Sequence, residues 1–117
     1  MRRKTGPPAE IREVVYARDG GRCVVCGTAD KLQVHHRRPR GMGGSRLDDT
    51  NSPVNLLTVC MYDHAAIERQ RGSALTLGWL VPQSQDPAET AVLVDRGSRW
   101  VYLTADGSYA EDPGVAA

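Results

Sequence analysis

The chain has 117 residues, a formal net charge of +1, and 5% aromatic residues with no phenylalanine. A chain of this length forms one compact domain with a modest core, and such small domains often need a metal ion as reinforcement. No apolar run approaches membrane-spanning length, and the N-terminal MRRKTGPPAE lacks the apolar segment of a secretory signal, so we expect a cytoplasmic protein. In a reducing compartment, three cysteines favour metal or redox chemistry over structural disulfides.

The first predicted element is a helix. Residues 1–8 are basic and contain two prolines, which is typical of a flexible lead. Apolar Ile11, Val14 and Val15 recur at helical spacing and are followed by two glycines, so we predict a helix over Ala9–Arg18. A Cys-x-x-Cys turn comes next, and a short strand is predicted over residues 31–36.

The remaining elements are a loop, a second helix and a β-rich end. Residues 37–53 are polar and glycine-rich and are expected to form a loop, and residues 63–70 have the composition of a helix. The apolar segments GWLV, AVLVD and RWVYLT, separated by turn residues, predict a small β-sheet or hairpin. The chain is therefore predicted to be α+β, with a central domain over residues 9–72 and a β-rich extension with a frayed tail over residues 73–117.

The cysteines predict a metal site. Cys23 and Cys26 are followed by Gly27, a spacing that lets two thiolates on a tight turn reach one tetrahedral ion. Cys60 is the third cysteine, and Asp63 stands three residues later, where a second pair would have another cysteine. A Cys3Asp structural zinc site is expected to hold its ion less tightly than four cysteines would. The alternative is that the cysteines are reduced, buried and metal-free.

The histidines carry the most specific pattern. They occur as the pair His35 and His36, and as His64 directly after Asp63. The order of CVVCG, LQVHHRRPRGMGG, NSPVNLLTVC and a histidine that opens a helix resembles the HNH endonucleases, particularly the small HNH proteins of phages and their bacterial hosts. The resemblance covers about residues 21–71. It implies a small ββα-metal core within residues 9–72, preceded by a short helix and followed by a β-hairpin or small sheet.

The resemblance also implies roles for the three histidines. His35 and His64 would bind a catalytic divalent ion, which could be Mg²⁺, Mn²⁺, Ni²⁺ or Zn²⁺. His36 would be the general base that removes a proton from water, a task that suits histidine because imidazole titrates near neutral pH. Adjacent strand residues point to opposite faces, so both members of the pair can serve one site only if the strand ends or bends there.

Two further positions are implied by the resemblance. Asn55 matches the family's middle asparagine, whose amide fixes the loop that orients the base, and Asn51 is the nearby alternative. Glu68, one helical turn after the helix histidine, is a candidate oxygen ligand of the catalytic ion. Its alternative is an exposed glutamate paired with Arg69 or Arg71.

The arginines after the histidine pair are candidates for DNA contact. We predict that Arg37, Arg38 and Arg40 clamp phosphates, which would position DNA with little sequence specificity. The alternative is a solvated loop without function. The predicted activity is metal-dependent DNA phosphodiester hydrolysis, with DNA and phage packaging proteins such as a terminase as partners. A zinc-stabilised DNA-binding or packaging-accessory protein without catalysis is the competing hypothesis.

Overall fold

The computed structural model describes residues 6–39 and 49–111 and has an α+β fold with two small antiparallel sheets. The elements are, in order, α1 (Ala9–Arg18), β1 (Leu32–His36), a 3₁₀ turn (Pro53–Asn55), β2 (Leu56–Cys60), α2 (Met61–Arg69), α3 (Arg71–Thr76), a second 3₁₀ turn (Pro87–Glu89), β3 (Val92–Val94), β4 (Arg99–Leu103) and β5 (Tyr109–Glu111). None of the helices in these ranges has the length and apolarity needed to cross a membrane.

Strands β1 and β2 pair antiparallel, and α2 follows β2 without a loop. The register sets Leu32 opposite Cys60 and His36 opposite Leu56, and every residue of β2 is buried. Helix α2 begins at Met61 because Cys60 caps it: the Cys60 Sγ accepts a hydrogen bond from the Asp63 backbone N–H at 3.3 Å. The helix packs against both strands, which brings its first turn close to β1.

The second sheet has the order β3-β4-β5 and shares its core with the first. Buried Val24, Leu57 and Ile67 pack in one cluster with Val92 and Val101 of the second sheet. Apolar burial is the main source of stability in a domain this small. Because one cluster serves both sheets, the two sheets stabilise each other.

The structure confirms part of the predicted element order and corrects the rest. Helix α1 has the predicted bounds, and β1, β3 and β4 lie where strands were predicted. The prediction that GWLV is a strand is wrong, because Trp79 and Leu80 N–H groups bond to the Ala74 carbonyl and wrap the segment around the end of α3. Helix α3 itself is unexpected, since Gly72 normally ends a helix.

Candidate functional site

The three histidines and Glu68 line one cleft of about 270 Å³, which we call the histidine cleft. His35 is buried, His36 is half-buried, and both line the cleft. The antiparallel pairing continues one residue beyond β1, because the Arg37 N–H bonds to the Asn55 carbonyl at 2.8 Å in the register that sets His36 opposite Leu56. The alternation of the strand is kept through the histidine pair, with His35 and Arg37 buried and His36 between them half-buried.

His35 and His64 each have one ring nitrogen that is held by an oxygen of the chain. The His35 Nε2–H donates to the Trp79 carbonyl at 2.7 Å, and the His64 Nδ1–H donates to the Gln33 side-chain oxygen at 2.7 Å. A carbonyl or amide oxygen only accepts, so His35 Nδ1 and His64 Nε2 keep their lone pairs. Metal-binding histidines in proteins nearly always have such an outer hydrogen bond.

The environment of His35 keeps its ring neutral. Burial lowers the pKa of His35 to about 4, and the positive charges of His64, His36 and Arg37 add to the effect, although the Trp79 carbonyl opposes it. The ring centres of His35 and His64 are 5.1 Å apart. A neutral imidazole is the form that binds a metal ion, so the cleft provides two nitrogen ligands next to each other.

Glu68 is not drawn into this pair. Its carboxylate accepts a hydrogen bond from Arg71 at 2.8 Å, and both side chains are about half exposed, as the alternative interpretation of Glu68 predicted. His35, His64 and Glu68 do not converge as closely as a formed metal site, because within the described residues only the Cys3Asp group has all its donor atoms within 4.8 Å of one another. An exposed ion pair of this kind contributes only about 0–1 kcal/mol, so Glu68 is free to exchange partners at little cost.

The two asparagines that the sequence offers as alternatives have separate contacts. The His36 Nε2–H donates to the Asn51 side-chain oxygen at 2.8 Å, which leaves His36 Nδ1 with its lone pair. Asn55 is fully buried: its oxygen accepts from the Arg38 N–H at 2.7 Å, and its amide donates to the carbonyls of Arg38 and Thr50 at 3.2 and 3.0 Å. Asn55 therefore ties the chain after β1 to the chain before β2, and Asn51 holds the histidine ring.

Arg37 is located in the interior, which corrects its prediction as a phosphate-binding residue. Its side chain is completely buried, and its guanidinium donates four hydrogen bonds of 2.8–3.0 Å to the carbonyls of Gly78, Val54, Pro87 and Thr90. Burial lowers the pKa of Arg37 to about 9, and the charge of Arg18 contributes. The group stays protonated at neutral pH, but its donors face protein carbonyls and not solvent.

Arg38 is buried as well, and its prediction as a phosphate-binding residue is corrected in the same way. Its guanidinium donates to the Gln85 carbonyl at 2.7 Å and forms an ion pair with Asp49. Arg40, the third predicted phosphate contact, lies outside the described residues. Sequence composition marks the segment as basic, but the carbonyls that bind Arg37 and Arg38 lie mostly some 40 to 50 residues further along the chain.

The Cys3Asp group consists of Cys23, Cys26, Cys60 and Asp63, and it is compact enough to bind a metal ion. The turn that carries the first two cysteines closes through the Gly27 N–H, which bonds to the Cys23 carbonyl at 2.9 Å, and Gly27 has φ +83°. The Asp63 carboxylate accepts from Cys23 Sγ at 3.1 Å and from Cys60 Sγ at 3.3 Å. Cys26 Sγ is 3.9 Å from Cys60 Sγ and is exposed to solvent.

Protons occupy this group when no metal is bound. Burial raises the pKa of Cys23, against backbone N–H groups that lower it, and the Asp63 carboxylate raises it further. The pKa of Asp63 is lowered: burial alone would raise it, but hydrogen bonds from the three thiols stabilise the carboxylate. An ion that binds here must displace thiol protons, so its affinity must rise with pH.

No protein-family model matches the sequence, and neither the curated proteins nor the solved structures contain one with significant similarity to the chain.

Proposed function

We propose that this protein is a metal-dependent endonuclease of the HNH type that hydrolyses DNA phosphodiester bonds. One observation carries the proposal: His35, His36 and His64 line a single cleft, and the hydrogen bonds of each ring leave one nitrogen with a free lone pair. A structural role for the histidines needs neither feature. In this interpretation β1, β2 and α2 form the ββα-metal unit.

The residues that would hold the catalytic ion are His35 through Nδ1 and His64 through Nε2. Glu68 would add an oxygen ligand after release from Arg71. Nitrogen ligands suit Zn²⁺ or Ni²⁺, and a carboxylate with water suits Mg²⁺ or Mn²⁺. When bound, a divalent ion polarises the scissile phosphate and stabilises the departing oxygen.

His36 would act as the general base. Its Nδ1 accepts the proton of the attacking water, and its Nε2–H, held by the Asn51 oxygen at 2.8 Å, fixes the tautomer and the direction of the ring. The amide oxygen also faces the positive charge that develops on the ring during proton transfer. Asn55 keeps the two chain segments around the base in place through its three hydrogen bonds.

The Cys3Asp group would be a structural zinc site. A zinc ion there would clamp the turn at Cys23 and Cys26 to the first turn of α2, and Asp63 is the residue directly before His64. Its contribution would be to hold His64 in position, and no catalytic step would pass through it. The substrate is DNA recognised with low sequence specificity, in the cytoplasm of a bacterium or an infected host cell, with phage packaging proteins such as a terminase as partners.

Plasmid cleavage tests the proposal. Purified protein, His36→Ala and the exposed control Glu89→Ala are incubated with supercoiled DNA in EDTA, Mg²⁺, Mn²⁺, Ni²⁺ or Zn²⁺, and circular dichroism establishes that all three are folded. We expect nicked or linear DNA only with metal and only from the wild type and Glu89→Ala. If all three proteins bind DNA and none cleaves it under any metal, the activity is wrong and the non-catalytic DNA-binding hypothesis replaces it.

A further inference from the structure

A second cleft, of about 350 Å³, lies between the cysteine turn and the turn that joins β3 to β4. Four arginines and two aspartates line it, together with Tyr109; the arginines are Arg18, Arg22, Arg96 and Arg99. We call it the arginine cleft. We infer that it is a second DNA-contact site, which binds backbone phosphates away from the scissile bond. This inference rests on the proposed nuclease function.

Not all of its charges are available to a ligand. Arg18 and Asp19 form a buried ion pair at 2.9 Å, and Arg18 also donates to the carbonyls of Pro53 and Leu56 at 2.8 and 2.7 Å. Asp19 accepts from the Thr58 N–H and from the Tyr109 hydroxyl at 2.9 and 2.6 Å. This pair is therefore the neutral floor of the cleft.

The other three guanidiniums have free donors. Arg22 makes one hydrogen bond, to the Gly27 carbonyl at 3.1 Å. Arg96 makes no side-chain hydrogen bond or ion pair with residues 6–39 and 49–111. Arg99 pairs with Glu111 at 2.5 Å, but both side chains are well exposed, and such pairs exchange partners easily. Asp95 is the one negative charge of the lining that is not already neutralised in the floor.

Arg96 also occupies a backbone conformation that disfavours it. Asp95, Arg96 and Gly97 have φ of 54°, 58° and 84°, so two non-glycine residues in a row are left-handed. The Arg96 N–H bonds to the Val24 carbonyl at 3.0 Å, which anchors the turn on the cysteine turn. Its side chain lies across Gly27, where an added Cβ would be 2.6 Å from Arg96 Cδ. A strained residue whose charged end has no partner among the described residues indicates a function for that charge.

The chemistry of the cleft fits a phosphodiester backbone. A guanidinium matches two phosphate oxygens at once. Stacking of a base is not favoured, because the Arg18 and Arg99 guanidiniums already lie over the Tyr109 ring, 5.6 and 5.4 Å from its centre. Contacts of this type position a duplex without reading its sequence.

The position of the arginine cleft suits a nuclease. Cys23 lines it, and the Cys23 Sγ lies 3.1 Å from the carboxylate of Asp63, the neighbour of His64. The two clefts are thus linked through the Cys3Asp group. The arginine cleft supplies exposed cations that buried Arg37 and Arg38 do not.

The salt dependence of DNA binding tests this inference. Binding of a fluorescent 20-base-pair duplex is measured by anisotropy in EDTA over a range of KCl concentrations, for the wild type and for Arg22→Gln/Arg96→Gln. Each lost phosphate contact reduces the slope of log K against log salt by about 0.9, so we expect a slope smaller by about 2. The matched control Arg12→Gln/Arg69→Gln removes the same charge from exposed positions outside the arginine cleft, and it should keep the wild-type slope.

A second variant separates binding from folding. Arg96→Gly relieves the left-handed strain, so we expect an unchanged or higher melting temperature together with weaker DNA binding. An unchanged slope in Arg22→Gln/Arg96→Gln, as a site for an acidic protein would give, overturns the inference while leaving the nuclease proposal intact. An equal decrease in the control double variant also overturns it. A wild type that neither binds nor cleaves DNA refutes the proposed function and this inference with it.

Discussion

Replacing Arg37 with methionine should destabilise the protein strongly, because the side chain is a hub for four main-chain carbonyls. Methionine has a similar length and no donors, so the carbonyls of Val54, Gly78, Pro87 and Thr90 would each lose a hydrogen bond. A buried polar group left without its partner costs about 1–3 kcal/mol. Four carbonyls at the lower end of this range give a total loss of stability of about 4 kcal/mol. The lower end of the range applies because the methionine variant no longer has to desolvate a buried cation.

That loss is measurable against a total stability of about 5–15 kcal/mol for a domain of this kind. In urea unfolding monitored by circular dichroism in EDTA, we expect the free energy of unfolding of Arg37→Met to be lower than that of the wild type by about 4 kcal/mol. Its melting temperature should be lower by about 15 °C. Arg37→Lys, which keeps the charge but not the planar set of donors, should lose less. The exposed control Arg69→Met should change stability by less than about 0.5 kcal/mol.

The opposite result would refute the reasoning. If Arg37→Met loses less than about 1 kcal/mol and instead weakens DNA binding, then Arg37 acts on phosphates, as its position in a basic segment suggests, and the carbonyl hub is not what stabilises the chain.

Three further predictions concern the two candidate metal sites. Asn51→Leu should lower kcat by about tenfold or more with KM nearly unchanged, because His36 loses the oxygen that orients its ring. Asn51→Asp should keep most of the activity, and an equal loss in both variants would contradict the orienting role of Asn51. Zinc should raise the free energy of unfolding by about 2.7 kcal/mol at a free concentration of 100 times its Kd, and Asp63→Cys should lower that Kd in a chelator competition, so a weaker site in this variant would contradict the zinc assignment. In EDTA, His35 should make the protein acid-sensitive, because the pKa of this imidazole is near 6.5 in the unfolded chain and about 4 in the folded chain. The free energy of unfolding therefore contains a contribution from His35 of about 3 kcal/mol, which is complete above pH 6.5 and is lost as pH falls toward 4. His35→Gln should remove this component, and a wild-type minus variant difference that does not change between pH 7 and pH 4 would argue against a buried neutral imidazole.

The sequence predicts what depends on local patterns. The bounds of α1 follow from apolar spacing and a double glycine, and the spacing of the cysteines predicts the Cys3Asp group that the structure brings together. The position of α2 also agrees with the helix predicted over residues 63–70, apart from the earlier start that the Cys60 cap explains, whereas β2 was not predicted.

Contacts between distant segments cannot be predicted in this way. Arg37 lies in a basic, polar segment of the kind that predicts an exposed loop. Its burial depends on main-chain carbonyls of distant residues, and no sequence pattern identifies which carbonyls will accept its hydrogen bonds. The bond from His36 to Asn51 joins residues 15 positions apart, across a segment without a regular period. The exposure of the Arg96 guanidinium to a ligand depends on a left-handed turn conformation. Its neighbours Asp95 and Gly97 are compatible with that conformation, but they do not predict it.

The carbonyl hub around Arg37 also has a consequence for how the chain can be shortened or fused. Three of its four acceptors come from residues 78–90, and the same segment supplies the Trp79 carbonyl that holds His35 and the Val81 N–H that bonds to the Arg37 carbonyl at 2.8 Å. A fragment ending near residue 72 would keep all three histidines but lose the Trp79 carbonyl that holds the His35 ring and three of the carbonyls that hold Arg37. The C-terminal segment therefore supports the histidine cleft mechanically, and an insertion or fusion should be better tolerated at the exposed β4–β5 turn than next to the carbonyls that hold His35 and Arg37.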